Sequence, residues 1–353
     1  MYENGPGVKP VPFRAAKARA KLGETQEACA MKAVWYDRQG PAAEVLQFGD
    51  LPTPHAGPGE VRVKLHASGV NPADTYRRRG PQMEYPRVVP NSDGAGVVDE
   101  TGDRVDRAWM GKRVWFYNGQ RNGRAFGTAA EYIALSVDLV TELPDFVSFA
   151  EGATLGIPCM TAHRCVFLAA PVQGKTVLVT GGAGAVGHYA VQLAKWAGAR
   201  VIATVSTEEK AEHARAGGAD LVVNYKTDGV VERVRAFSGG VDHIVDVDFG
   251  GNLATSLRVL KDNASLVGYA TNGDRTPQVP FQEIMRKNLT VHGMILPTSP
   301  LEARHRAQAD ISCWLQTRPI LSVAARFPLA QTIQAHEAVE RGDKKGTVVV
   351  EPV

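Results

Sequence analysis

Cysteine is scarce in this chain: Cys29, Cys159, Cys165 and Cys313 are the only four in 353 residues. None forms a C-x-x-C pair, which argues against a zinc knuckle or a disulfide framework and fits a reducing, cytoplasmic compartment. An excess of one charge is missing too. Forty Lys and Arg against 37 Asp and Glu leave +3, with no long basic run and no basic aromatic stripe, so nucleic acid is not implied as a partner. No membrane span is expected either. The uncharged stretch at 176–194 has about the length of one, but Gly181, Gly182, Gly184 and Gly187 interrupt it, and it reads as strand, turn and helix. The nine histidines include no H-E-x-x-H, the pairing that sets two imidazoles on one helix face for zinc. Glycine, by contrast, is abundant. Its 36 residues are about a tenth of the chain, where ~7% is usual, and such a surplus marks turns or backbone that approaches a ligand closely.

At ~150 residues per domain the length predicts about two domains. Residues 1–30 read as an unstructured extension: Glu3, Glu24 and Glu27 dilute its basic residues, and it has no serine and no apolar signal core. From Met31 to about Leu143, short strands at 60–66, 96–99, 113–117 and 129–135 lie between Gly/Pro turns, the pattern of a strongly bent β domain. One helix interrupts it, with Asn71 as N-cap and Pro72 in the first position. From about Gly152 strands and helices alternate. Strands are expected at 176–180, 201–205, 221–225, 244–247, 264–270 and 289–296, and helices after Val186, at 208–216 and at 230–237. This is the α/β pattern of a doubly wound parallel sheet. A helix at 331–341 and a strand at 347–351 are expected to return to the first domain.

The segment Thr176-Val-Leu-Val-Thr-Gly-Gly-Ala-Gly-Ala-Val-Gly-His188 places Gly182-x-Gly184-x-x-Gly187 directly after a strand and before a helix. One glycine turns the chain, the next lets a pyrophosphate approach, and the third packs helix on strand. The helix N-terminus offers its free N–H groups to the phosphates. Gly182, Ala183, Gly184, Ala185, Val186 and Gly187 are therefore expected to bind a dinucleotide. A site for NAD carries Asp or Glu at the end of the second strand. Here Ser206, Thr207 and Lys210 follow that strand, and hydroxyls with an ammonium suit a 2′-phosphate, so NADPH is expected. Glu208 and Glu209 count against it, and they read as first-turn helix acids facing solvent.

The run Ala67-Ser-Gly-Val-Asn-Pro-Ala-Asp-Thr-Tyr-Arg-Arg-Arg-Gly80, with Tyr85-Pro86 and Asp93-Gly-Ala-Gly-Val97, resembles the zinc-free quinone oxidoreductases, the zeta-crystallin-like branch of the medium-chain dehydrogenase/reductase superfamily. The resemblance runs from about Met31 to the C-terminus. It implies a GroES-like bent β domain, 31–157 and 297–353, interrupted by a Rossmann domain, 158–296. It also implies a homodimer or homotetramer built on the edge strand from Leu289 to Leu296. Zinc-dependent relatives carry Cys at the position of Asn71, His at Ser92 and a third ligand near Ile157. None of these three residues ligates zinc as Cys or His does, so no metal is expected. The resemblance puts Asn71, Asp74, Tyr76 and Tyr85 in the substrate cleft, Thr161 near the nicotinamide, Lys210 and Tyr225 around the 2′-phosphate and Gly268 against the cofactor. Asn71 and Asp74 are equally what a helix start wants. Two departures stand out. Thr347, not Lys, follows Gly346. Arg77-Arg78-Arg79 is unusually basic and reads as a solvated helix end, with attraction of an anionic substrate such as an acyl-CoA as the other possibility.

The expected activity is hydride transfer from NADPH to a quinone or other activated enone, a small-molecule acceptor that needs hydrogen-bond donors rather than a metal. Reduction of a 2-enoyl thioester or an alkenal is the near alternative. A non-catalytic NADPH-binding structural or RNA-binding protein is the alternative from another class.

Overall fold

The computed structural model describes residues 30–121, 123–342 and 344–352. The extension expected at 1–30 lies outside them except for its last residue, Ala30, which is already strand. β1 (Ala30–Trp35) pairs antiparallel with β2 (Gln47–Pro52) around the short α1 (Ala42–Val45). β3 (Glu60–Val70) buries Val61, Val63, Leu65 and Ala67, the alternation of a strand with one face on a core. It runs into α2 (Pro72–Arg79). β4 (Asp93–Thr101) pairs with β3, β5 (Arg113–Phe116) with β4, β6 (Tyr132–Ser136) with β3 and β7 (Val140–Glu142) with β5, all antiparallel. A Cβ at Gly96 would fall 2.0 Å from the Lys64 carbonyl, so that glycine lets β4 cross close against β3. The strand expected to begin at 129 begins at Tyr132, and Ala130 instead forms a single bridge to Ala33.

After α3 (Phe149–Gly152) the chain makes a π-helical turn, Leu155–Cys159, and continues as α4 (Met160–Phe167). The alternation follows: β8 (Thr176–Val179), α5 (Ala185–Trp196), β9 (Arg200–Val205), α6 (Glu208–Ala216), β10 (Leu221–Asn224), α7 (Val230–Ser238), β11 (Val241–Asp246), α8 (Phe249–Val259), β12 (Leu260–Gly268), α9 (Phe281–Arg286) and β13 (Thr290–Gly293). These strands form one parallel sheet in the order β10-β9-β8-β11-β12-β13, the doubly wound order with a switch point beside β8. β8 is buried throughout, as a central parallel strand must be.

The tail returns as expected. α10 (Leu301–Leu315), β14 (Val323–Pro328), α11 (Thr332–Arg341) and β15 (Thr347–Glu351) follow, and β15 pairs with β3 while β14 lies parallel to β15. α10 joins both bodies. Ile311, Trp314 and Leu315 enter the cluster that also holds α4, α5, β8 and β9, and the Gln308 amide donates to Thr141 Oγ1 in β7 at 2.8 Å. Among the described residues no helix is long and apolar enough to cross a membrane.

Candidate active site

The carboxyl ends of β8, β9, β10, β11 and β12 lie along one edge of the parallel sheet, and most of the expected cofactor residues fall at or just after them. Gly181 turns the chain at φ +66°, and the Gly182 N–H donates to the Thr204 carbonyl at 2.9 Å. The three glycines of the motif do different work. A Cβ on Gly187 would sit 2.2 Å from the Gly181 carbonyl oxygen, and one on Gly182 would sit 2.7 Å from Ala203 Cβ, so both are required by packing. At Gly184 the nearest protein atom would be 3.4 Å away and φ is −74°. Nothing in the packing of the protein demands glycine there. Ala185, Val186 and Gly187 form the first turn of α5, whose N–H groups have no partners within the helix.

Ser206 follows β9, and Thr207 caps α6 by accepting the Lys210 N–H at 3.3 Å. Tyr225 follows β10, half exposed, with its N–H on the Val205 carbonyl. Ser206, Lys210 and Tyr225 therefore share one edge. Gly268 closes β12 between Asp246 and Gly293. Its nearest neighbour would be Phe249, 3.1 Å from an added Cβ. The loop is tied to the far body by a bridge between Gly184 and Gly346.

The second group of expected residues separates into two pairs. Asn71 and Asp74 are buried together at the start of α2. The Asn71 backbone N–H donates to Asp74 Oδ2 at 2.8 Å, and the Ser92 hydroxyl donates to Asp74 Oδ1 at 2.9 Å. The Asn71 side chain keeps its place in the capping box, and its amide also donates to Asp93 Oδ2 at 2.7 Å. Asp93 is fully buried and packs on the π-turn, where a Cβ at Gly156 would meet its Oδ1 at 2.3 Å. Asn71, Ser92 and the 157 position thus converge, with Thr161 buried one turn beyond Ile157. Among the described residues no group of three His, Cys, Asp or Glu is placed to hold a metal ion.

Burial pushes both carboxyls above the usual range, Asp93 well above it. For Asp74 the Arg121 guanidinium, the Asn71 N–H and the Ser92 hydroxyl pull downward. For Asp93 the Asn71 amide opposes the rise while the Asp74 charge adds to it. The cluster is braced from behind. Thr128 Oγ1 donates to the Asp93 carbonyl, Ser68 and Thr128 share a hydrogen bond, and Asn91 links Ser68 to His336 Nε2. Burial holds His336 down at about 3, so it is a neutral imidazole.

Tyr76 and Tyr85 form the other pair. They line a cavity of about 300 Å³ with Tyr36, Arg77, Met83 and Gln120, which neither Asn71 nor Asp74 lines. Arg77 there is held by the Gln120 carbonyl and side chain. Of the three arginines only Arg79 is a solvated helix end; Arg77 is half-buried and Arg78 buried, contrary to the expectation from sequence. Arg78 is fully buried, bonded to the Gly40 carbonyl and paired with Glu340, which Arg79 also reaches at 3.4 Å. The structure adds Asp93 and Arg121 to the site. Asp93 stood in a motif noted for its glycines, whereas Arg121 sits in an aperiodic loop and carries no sequence signal.

Two family models match the chain: an alcohol dehydrogenase GroES-like domain over residues 57–145 and a zinc-binding dehydrogenase over residues 185–312. The quinone oxidoreductase of Mus musculus is 30% identical over 316 residues, 87% of this chain and 92% of the relative. A mycobacterial protein solved in complex with NADPH superposes with a TM-score of 0.80 at 31% identity, covering 91% of this chain and all of the other. The Escherichia coli quinone oxidoreductase complexed with NADPH does so with a TM-score of 0.80 at 26% identity, over 91% of this chain and all of the other.

Proposed function

The chain belongs to the quinone oxidoreductase family of medium-chain dehydrogenases/reductases, and we propose that it reduces a quinone or other activated enone with NADPH and without zinc. The observation that carries this reading is Gly184, a glycine that no protein contact requires, at the mouth of a helix beside Ser206 and Lys210. The α5 N-terminus then receives the pyrophosphate. Ser206, Lys210 and Tyr225 hold the 2′-phosphate, and Thr161 and Gly268 line the nicotinamide side. When bound, NADPH supplies a hydride from its nicotinamide ring.

The protein's part is to bind, orient and donate. Asn71 has two amide N–H donors. One is committed to Asp93, which fixes the plane of the amide, and the other serves the acceptor's carbonyl oxygen as negative charge develops on it. Tyr76 or Tyr85 donates a second hydrogen bond or the proton that completes reduction. Asp74 acts as the cap that sets Asn71 in place. Asn71, Ser92 and Ile157 offer neither thiolate nor imidazole where the family's zinc ligands fall, which supports zinc-free chemistry.

We divide the chain into a cofactor body at 158–296 and a substrate body at 31–157 and 297–353. We assign it to the cytoplasm, where its free Cys159, Cys165 and Cys313 suit reducing conditions. We further assign it a homodimeric or homotetrameric state through the 289–296 edge. β13 has an open side there, flanked by exposed Phe281, Met285, Val291 and Ile295.

NADPH absorbance, followed with EDTA present, tests the activity against a 1,4-quinone, a 1,2-quinone, an alkenal and a 2-enoyl-CoA, with NADH as the paired control. Turnover of a quinone or enone with NADPH preferred is the expected result. Turnover of the thioester alone moves the substrate assignment, and NADPH binding without turnover of any acceptor overturns the reading.

A further inference from the structure

Two acids follow Ser206 in the first turn of α6, and each would repel a phosphate dianion at that edge. The structure engages both. Glu208 Oε1 pairs with Arg215 on the same helix at 2.6 Å. Glu209 Oε1 pairs at 2.5 Å with Lys345, which comes from the other body, in the turn just before β15. That turn is fixed. Gly346 has φ +85°, a Cβ there would fall 2.3 Å from the Ser322 carbonyl, and its backbone bridges to Gly184. Lys210, the next residue after Glu209, has no ion-pair partner among the described residues. Lys345 dominates the lowering of the Glu209 carboxyl, and Lys210 adds a smaller Coulombic pull.

We propose that Lys345 is a cofactor-selectivity residue: it neutralises Glu209 and leaves Lys210 and Ser206 open to the 2′-phosphate. This rests on the NADPH reading above. Without Lys345, the Glu209 charge both repels the dianion and competes for Lys210. Glu209 is well exposed, with 73% of its side chain accessible, so water and salt screen the effect. The expected size is about fivefold in the NADPH KM, and it shrinks as salt is added. NADH has no 2′-phosphate and escapes both penalties.

The test compares the full chain with Lys345→Gln, Glu209→Gln and the double variant, measuring KM and kcat/KM for NADPH and NADH at low and high salt. Lys345→Gln is expected to raise the NADPH KM about fivefold at low salt with the NADH constants unchanged. Glu209→Gln in the Lys345→Gln background is expected to restore the NADPH KM. A Lys345→Gln variant that loses both cofactors equally, or a double variant that stays impaired, overturns the proposal in favour of a structural tether. Wild type favouring NADH overturns the cofactor reading itself. Wild type favouring NADPH with the ratio unmoved in Lys345→Gln overturns this inference alone.

Discussion

The nucleotide edge and the Asn71 cluster hold similar residue types in opposite surroundings. At the edge, Glu208, Glu209 and Lys345 are paired but wet, and they answer to salt. In the cluster, Asn71, Asp74, Ser92 and Asp93 are all buried, and they answer to desolvation. The first region selects a charge pattern on a ligand. The second holds one amide in place, and its polar groups are satisfied mainly by one another. Buried networks carry larger penalties for any member removed than exposed pairs do.

The sharpest break of that comparison lies within the glycine loop, where one position is set by packing and another is open. Gly187→Ala forces the Gly181 carbonyl to move and is expected to cost about 3 kcal/mol of stability and to abolish cofactor binding. Gly184→Ala is expected to leave stability within about 1 kcal/mol while NADPH affinity falls at least about tenfold. Thermal melts and cofactor titration separate the two, and equal melting temperatures for both variants would refute the division of labour.

Next in size is the buried cluster. Asp93→Ala frees the Asn71 amide and is expected to lower kcat by about tenfold or more, through lost orientation. Asp93→Asn mimics the protonated carboxyl that burial favours and is expected to retain most of the activity. Steady-state kinetics on both variants decide, and an Asp93→Asn as impaired as Asp93→Ala would mean that the ionised carboxylate is required.

The smallest effect is a pH slope. Burial holds His188 and His336 neutral at about 3 and His243 at about 4. Unfolded, each titrates near 6.5, so below that pH the unfolded chain binds more protons. Their contribution to stability is lost as pH falls from about 6.5, by about 1.4 kcal/mol per pH unit per imidazole. Asp74 and Asp93 run the other way. Their raised carboxyls keep protons that the unfolded chain gives up, so their contribution is lost as pH rises past the ordinary carboxylate range. Melting temperatures between about pH 4.5 and 6.5 are expected to show a flatter slope in His336→Gln and a steeper one in Asp93→Asn. Parallel slopes in wild type and both variants would contradict the burial argument.

The bent β body, the parallel sheet and the returning tail were legible because each leaves a local period in the sequence, as β3, β8 and α6 do. α8 and α10 were not. α8 opens on Phe249-Gly250-Gly251, poor helix formers. α10 buries Ala307, Gln308, Ile311, Trp314 and Leu315 on one stripe, but that stripe includes a glutamine and covers only the second half of the helix. The glycine loop could be read because a phosphate site needs consecutive residues. The Asn71 cluster could be read only in part, because it draws from α2, β4 and the π-turn. Tyr76 and Tyr85 read as neighbours of Asn71, and they line a cavity that Asn71 itself does not line.

By itself the sequence determined the alternation of strands and helices and the glycine loop, since both follow from short-range periodicity and backbone sterics. It also determined the residue types at the three ligand positions. Only the tertiary structure decided which charges meet. Lys345 reaches Glu209 across 136 residues, and Arg78 reaches Glu340 across 262. The Asn71 amide reaches Asp93 on β4, 22 residues along the chain. Such pairings depend on how β15 docks on β3 and how the π-turn packs on β4, and no local pattern in the chain encodes that long-range docking.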